Sequence, residues 1–469
     1  MIAGRTLVLV PDGVSARNML YTGLADALAA RGRVDLAISE RCGSAMDRAL
    51  AIPGARCFDL DDYREGVLEL FIRRVLEFAH LRVGATYAMA FILNRPISGG
   101  WRHRTVMRSA RVASRAFASR RRIKLLARFG LALAERRPEV DRYEQFLRDC
   151  EVGAVVNAHQ RVIDALPVVL AARRLSIPSF TFIFSWDNLT SKGRITPPFD
   201  GYFVWSAHMG RELAQFYPDV SEDFVHIVGS PQFEPYGDPR VLLSRDTFAR
   251  SLGLRPYDPI ICYSGGDEGT CPEDPEHVAV LLELIRDGAI RPEAQVVLRP
   301  SPADDGLRFA HLRAAFPELV YAPPAWARPP GGGWASAVPK PEDLVLLANL
   351  VHHSDVNVNV ASTMTLDFAL NDRPVVNIGF DIADPPPHGV SIGEISRCFE
   401  HYRPVLEIGA ARLAPSPTEL ARLVERALSD PSVDRAERAA LVELELGVAP
   451  GGANRAVADA LERVLAGRA

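Results

Sequence analysis

Near the start of the chain RTLVLV, 5–10, carries the apolar run Leu7–Val10, which stops at Pro11-Asp12-Gly13. Apolar positions then recur at helical spacing through SARNMLYTGLADALAARG, and a second run, VDLAIS, restarts the cycle. Parallel strands buried on both faces lose polar alternation, so strand, glycine turn, helix and strand in this order predict the start of a parallel α/β sheet. From about 62 to 150 the helical period takes over, and a helical insertion is expected there. VGAVVNAH, PSFTFIF, DGYFVW and FVHIVGSP supply four more short strands, which extends an amino-terminal domain over 1–235. A second series follows Pro235: PIICYSGG, AQVVLRPSP, LVYAPP, DVNVNVAS and PVVNIGF, with helical stretches such as HVAVLLELIRDG between them. This predicts a second domain over 236–415 and a helical tail, 416–469, that packs back on the first domain. The expected fold class is α/β, with two doubly wound Rossmann-like domains facing one another across a cleft. Gly331-Gly332-Gly333 after a Pro-Pro pair reads as a loop, not a nucleotide motif.

The stretch NVNVASTMTLDFALNDRPVVNIGFD, 357–381, sets small hydroxyls between a strand and a helix. Ser362, Thr363 and Thr365 stand at the turn, where unpaired amides and the helix dipole favour phosphate and hydroxyls add donors without bulk. Ordinary helix capping is the alternative for the same residues. Asp367, one turn into the helix, suits a ribose diol, or simply the positive end of the helix. Ser264, Gly265 and Gly266 follow the first strand of the second domain, where small residues let a diphosphate approach the backbone; a plain turn is the alternative.

In the first domain, Asp12, Gly13, Ser15 and Arg17 sit at the carboxyl end of the first strand, the edge at which open α/β sheets bind ligands. Arg17 suits an acceptor anion or is a surface arginine. His159, after a strand and before a helix, is a candidate base, or else a capping or core histidine. Asp187 lies in a loop with Trp186, Asn188 and Lys192. It is placed first among three candidate bases, ahead of His159 and Asp12, because these neighbours could fix a sugar; an Asx turn is the alternative.

Net charge is -4 across 469 residues, which gives no reason to expect nucleic acid. No segment reaches about 18 uninterrupted apolar residues and the amino terminus lacks a signal-like stretch, so a cytoplasmic protein is expected. Six scattered cysteines without a CxxC pair are expected to be reduced. Metal chemistry is not expected: there is no HExxH or clear DxD, and the adjacent His352 and His353 cannot share one helix face. A single glycine in VPDGVSARN is likewise too few for a dinucleotide turn. One segment departs from the average: residues 101–124 hold nine Arg or Lys and no Asp or Glu. Val106, Ala110, Ala113, Phe117 and Leu125 or Leu126 interleave with them, so this is either a solvated helix face or a basic amphipathic surface for anionic lipid at the inner face of a membrane.

Strand, hydroxyl turn, helix with an early acid and then RPVVNIGF together resemble the donor half of GT-B glycosyltransferases. Within that superfamily the similarity is nearest to bacterial CDP-glycerol glycerophosphotransferase-like and surface-polysaccharide transferases. The resemblance covers roughly 5–30 and 150–385. It implies that Ser362, Thr363 and Asp367 contact diphosphate and ribose and that Arg299, in VVLRPSP, reaches donor phosphate. Ser301 after Arg299-Pro300, and hydroxyls at 362 and 363 where that family has an acid-tyrosine-serine run, depart from the glycerophosphotransferases. Sugar transfer is therefore put first: a nucleoside-diphosphate or CMP sugar as donor, a glycan, lipid-linked or small-molecule acceptor, and no cofactor beyond the donor. The alternatives are glycerophosphate transfer, UDP-sugar epimerisation, or a noncatalytic nucleotide-sugar-binding partner.

Overall fold

The computed structural model describes residues 4–328, 336–387 and 389–467; the Gly331–Gly333 expectation lies outside them. Two compact units form, one from the chain up to Gln232 plus the segment from Gly452, the other from Phe233–Gly451. The last helix, Ala453–Ala466, thus belongs to the first unit, while Pro417–Ser429 and Arg435–Leu446 belong to the second.

The first unit is built on seven strands: β1 Arg5–Val10, β2 Arg33–Ser39, β3 Arg56–Leu60, β4 Val152–Asn157, β5 Ser179–Phe182, β6 Gly201–Val204 and β7 Val225–Ile227. Their order is β3-β2-β1-β4-β5-β6-β7 and every pairing is parallel, with Val8 opposite both Leu36 and Val156. β1 is buried from Thr6 onward and apolar from Leu7 onward because it lies at the centre of the sheet with strands on both sides. β3 and β7, at the edges, are half-exposed. The expected helix over 15–32 is interrupted: Gly23 adopts φ +82, a left-handed conformation, and a fresh helix starts at Leu24.

Between β3 and β4 run five helices, Val67–Gly84, Tyr87–Asn94, Trp101–Ala113, Arg120–Ala134 and Pro138–Asp149. Thr86 and Ser119 cap two of them, accepting from the amides of Met89 and Arg122. The basic segment's apolar stripe turns inward: Ala110 is buried, and Met107, Phe117 and Leu126 pack on Val75, Phe78 and Leu81 of Val67–Gly84. Leu125 points the other way and stays 56% exposed. The stripe expected to meet lipid is therefore consumed by helix packing, and the outward apolar groups are Trp101, Val112, Leu125 and Phe129.

The second unit holds β8 Ile260–Ser264, β9 Gln295–Arg299, β10 Val320–Tyr321, a two-stranded pair of β11 Trp326–Ala327 and β12 Val338–Pro339, then β13 Val356–Asn359, β14 Val375–Ile378 and β15 Arg412–Ala414. The six-stranded sheet runs β10-β9-β8-β13-β14-β15, again with all pairings parallel. Its core joins Ile261, Tyr263, Val358 and Ile378 to helix residues Val278, Leu281 and Val424. Each unit is thus a Rossmann-like layer structure in which strand order reverses once, between β1 and β4 in the first and between β8 and β13 in the second.

Candidate functional site

Reversal of strand order leaves a crevice at the carboxyl ends of the two strands that flank it. In the first unit those strands deliver Asp12 and His159. Asp12 caps the short helix Gly13–Ala16: its Oδ1 accepts from the Ser15 amide (2.8 Å) and the Ser15 hydroxyl (2.7 Å). Its Oδ2 lies 2.7 Å from Nδ1 of His159. Burial works to raise the Asp12 pKa, but the charge and hydrogen bond of His159 and the two Ser15 bonds outweigh it and hold the group below its ordinary value. The Asp12 side chain is 11% exposed and that of His159 18%, so the carboxylate is sheltered while part of the ring stays open. The carboxylate fixes one ring nitrogen and leaves the other to exchange a proton, the arrangement of an oriented general base. Cys42 near Asp12 is inert, its thiol pushed up to about 12 by burial and by the Asp12 charge.

Two further residues, absent from the sequence candidates, hold His159 in place. Phe184 sets its ring 4.7 Å from the imidazole. Gln160 accepts from the Phe184 amide (3.0 Å) and donates to Asn188 Oδ1 (3.1 Å), tying the loop after β4 to the loop after β5. Asp187 lies further along that second loop. Its oxygens receive the Ser191 hydroxyl (2.9 Å), the Asn188 amide (3.1 Å) and the Lys192 ammonium (3.2 Å), which secures the short helix Asn188–Ser191. Trp186 is 3% exposed, so its ring belongs to the core and offers no open face for a sugar. Gly13 and Ser15 are buried beneath the dyad, and Arg17 is held by Asn18 and Gln232. The geometry therefore brings Asp12, Ser15 and His159 together and gives Asp187 a separate set of partners.

At the second unit's reversal the expected phosphate cradle is largely closed. The Gly265 amide donates to the Arg299 carbonyl (2.9 Å), and the Gly266 amide to Asp274 (2.7 Å), so neither N–H is left to meet a diphosphate. A Cβ at Gly266 would lie 2.5 Å from the Cys271 sulfur; close approach to Cys271 is what requires glycine there. Ser264 is buried and its hydroxyl accepts from Asn357 (2.7 Å). Thr365 is fully buried, with Asn359 (3.2 Å) and the Tyr402 hydroxyl (2.7 Å) as partners, and it forms part of the core, not of an open turn. Tyr402 donates onward to Asn377 (2.9 Å), whose amide meets Asn359 (2.8 Å). The alternating asparagines of β13 and β14 are thus a buried polar network that pins the strand ends.

Arg299 also faces inward. Nη2 lies 3.0 Å from both oxygens of Asp343, and the two side chains are 4% and 5% exposed. Asp367 accepts from the Tyr236 hydroxyl (2.6 Å) and is itself buried. Ser362 and Thr363 remain partly exposed; the Ser362 hydroxyl accepts from the Met364 amide (3.2 Å), and Ala361 before it is held at φ +38. A left-handed alanine persists only where its surroundings over-determine it, here at the carboxyl end of β13. Among the described residues, no group of three or more His, Cys, Asp or Glu gathers as a metal site, and no helix is long and apolar enough to cross a membrane.

No protein-family model matches the sequence, and no curated protein matches it. The fold, in contrast, is matched by solved structures. One is the UDP-GlcNAc 2-epimerase of Neisseria meningitidis bound to UDP-GlcNAc, with a TM-score of 0.55, 11% identity, and 98% of this chain and 100% of that chain covered. Another UDP-N-acetylglucosamine 2-epimerase gives a TM-score of 0.54 at 11% identity, over 99% of this chain and 95% of that one. The S. aureus MnaA–UDP co-structure gives a TM-score of 0.50 at 10% identity, over 98% and 97%. At such identities the likeness is one of fold: this chain has the GT-B type of architecture, two Rossmann-like domains carrying parallel sheets of seven and six strands.

Proposed function

We propose that this chain is an enzyme acting on a nucleoside-diphosphate sugar, with the Asp12–His159 dyad moving a proton on the sugar or on its reaction partner. The observation that carries this reading is the 2.7 Å contact of a sheltered carboxylate with a partly open imidazole at the strand reversal of the first unit. The leading reaction is epimerisation of a UDP-sugar. The matched folds with TM-scores of 0.54 and 0.55 are UDP-GlcNAc 2-epimerases, and one of them holds UDP-GlcNAc. Inverting a ring carbon requires a C–H bond to be broken and re-made on the other face, which is work for a positioned acid and base. Glycosyl transfer is the second reading. The same dyad suits removal of a proton from an acceptor hydroxyl, and the resemblance to surface-polysaccharide and CDP-glycerol-type transferases favours it.

Incubation with UDP-GlcNAc in D2O separates the two. Epimerisation puts deuterium on the inverted carbon with no acceptor present, whereas transfer leaves the sugar C–H bonds intact and requires an acceptor. Deuterium at C2 is the expected result; unlabelled sugar together with acceptor-dependent release of UDP would move transfer to first place. No reaction with any nucleotide sugar would remove the enzymatic reading.

The nucleotide is assigned to the second unit, with Ser362 and Thr363 as the phosphate-side contacts. In a thermal-shift panel of UDP, GDP, CDP, TDP and CMP, UDP should give the largest rise in Tm. A ligand at a hundred times its Kd stabilises by about 2.7 kcal/mol. Ser362→Ala should reduce the UDP-induced rise while leaving the ligand-free Tm near that of the wild type. A fall in the ligand-free Tm with an unchanged UDP response would return Ser362 to capping alone.

A further inference from the structure

The first unit contains a cavity of about 370 Å³ that the proton-moving dyad does not use. It lies between the insertion helices and the sheet layer. Ile72 and Leu76 of Val67–Gly84 form one wall, Ile123, Ala127 and Leu131 of Arg120–Ala134 another, and Phe199, just before β6, a third. Its volume falls in the range of about 300–1,000 Å³ typical of small-molecule sites. Two of its polar wall residues, His80 and Tyr63, are neutral. His80 is 5% exposed, stacks on Tyr217, and has its pKa pushed down to about 3 by burial and then by the Arg194 charge, so it is a neutral wall. The Tyr63 hydroxyl, buried beside Glu69, closes no hydrogen bond of good geometry.

Charge gathers around this apolar volume with a clear sign. Six Arg or Lys line it against three carboxylates. All three carboxylates are engaged: Glu65 with Arg73, Asp219 with Lys124, and Glu69 with the Gly66 amide. Arg128, Arg173 and Arg194, which also line the cavity, make no salt bridge to a carboxylate among the described residues, and Arg194 sits 6.0 Å over the Tyr217 ring. The helix that supplies the Ile123–Ala127–Leu131 wall presents Leu125 and Phe129 outward, 56% and 53% exposed, beside the exposed Arg121 and Arg122. One helix therefore has an apolar inner face on the cavity and a basic, apolar-studded outer face, the composition of a segment that rests on an anionic interface.

We propose that this cavity takes the apolar chain of an amphiphile with an anionic head group, drawn from an anionic membrane surface, with the head group held by Arg128, Arg173 and Arg194. The walls exclude water from the chain, and guanidinium groups that have no carboxylate partner supply the head-group charge pairing that an uncharged amphiphile would lack. The assignment rests on the first unit alone and stands or falls independently of the nucleotide-sugar reading.

The test is calorimetric titration of the full chain with dodecyl phosphate below its micellar concentration, alongside dodecanol and inorganic phosphate. Dodecyl phosphate should bind at one site and at least about tenfold more tightly than dodecanol, since one charged hydrogen bond is worth about that factor. Ala127→Phe fills the cavity and should abolish binding with the circular-dichroism melt preserved; Leu131→Phe serves if that variant does not fold. Arg128→Gln with Arg194→Gln should bring dodecyl phosphate down toward dodecanol. In co-sedimentation, phosphatidylglycerol vesicles should retain the protein and phosphatidylcholine vesicles should not. Equal binding by the filled and wild-type proteins, or equal affinity for inorganic and dodecyl phosphate, would overturn the assignment, as would equal retention by the two kinds of vesicle.

Discussion

Replacing His159 by alanine, or Asp12 by asparagine, is expected to lower turnover at least about a hundredfold, because a positioned general base contributes about 10²–10⁴. UDP should still raise Tm in both variants, since neither residue lies in the unit assigned to the nucleotide. Asp12→Asn keeps the shape of the side chain but removes the charge that orients the imidazole through the 2.7 Å contact. The loss in that variant should therefore appear in kcat more than in KM. Asp187→Asn is the internal control. Its oxygens are occupied by Ser191, Asn188 and Lys192, so its expected cost falls on loop stability and stays well short of the dyad's. Turnover lost in Asp187→Asn and retained in His159→Ala would reverse the assignment.

Asp12 also carries a stability signature. Its folded pKa is below the unfolded value, so its ionised form contributes stability above the unfolded value, and that contribution is lost as pH falls through the folded one. Asp12→Asn should therefore melt lower than wild type at neutral pH, and the difference should shrink once pH falls below the ordinary carboxylate range. A difference independent of pH would mean that packing, not charge, sets the cost.

Most of the sheet layout was legible because buried parallel strands are written as unbroken apolar runs; β1, β4 and β8 are read directly from LVLV, VGAVV and IICY. The edge strand β3, RCFDL, escaped because two of its five residues are charged and it shows neither an apolar run nor a strict alternation, and β15, RLA, is too short to show any period. The interruption at Gly23 was invisible to periodicity because the apolar positions on either side stay in phase, although the glycine itself was the available signal. Site residues divided along a different line. Asp12 and His159 were candidates because strand ends are where ligands gather, and their contact was not foreseen, because 147 residues separate them and only strand order makes them neighbours. Gln160 and Phe184 had no signal of their own beyond adjacency to a candidate. In the second unit three of the candidates are taken up by packing. Thr365, Ser264 and Gly266 satisfy buried backbone and asparagine groups, a demand set by tertiary packing that spacing along the chain does not reveal.

Arg299 shows the same difficulty with the largest expected consequence for stability. The resemblance to GT-B transferases implied an arginine reaching for phosphate, and on that reading Arg299→Ala would leave the ligand-free protein intact. The structure instead sets Nη2 3.0 Å from both oxygens of Asp343, and that carboxylate also receives the Ala325 amide and the Trp326 indole N–H, each at 2.8 Å. Removing the guanidinium leaves a buried carboxylate with two neutral donors and no countercharge, a loss of about 3–5 kcal/mol. For a domain of 150–250 residues each kcal/mol shifts Tm by about 2–4 °C, so Arg299→Ala should lower the melting of the second unit by at least about 6 °C. Removing both charges tests the cause. Arg299→Met with Asp343→Leu should recover more than half of the loss, because a buried ion pair replaced by apolar groups of similar volume is often no less stable. If Arg299→Ala keeps its melting temperature and loses its response to UDP, the side chain turns outward in solution and the phosphate role implied by the resemblance is the correct one. If the double variant melts as low as the single one, the site depends on the shape of the Arg299–Asp343 pair rather than on its charge.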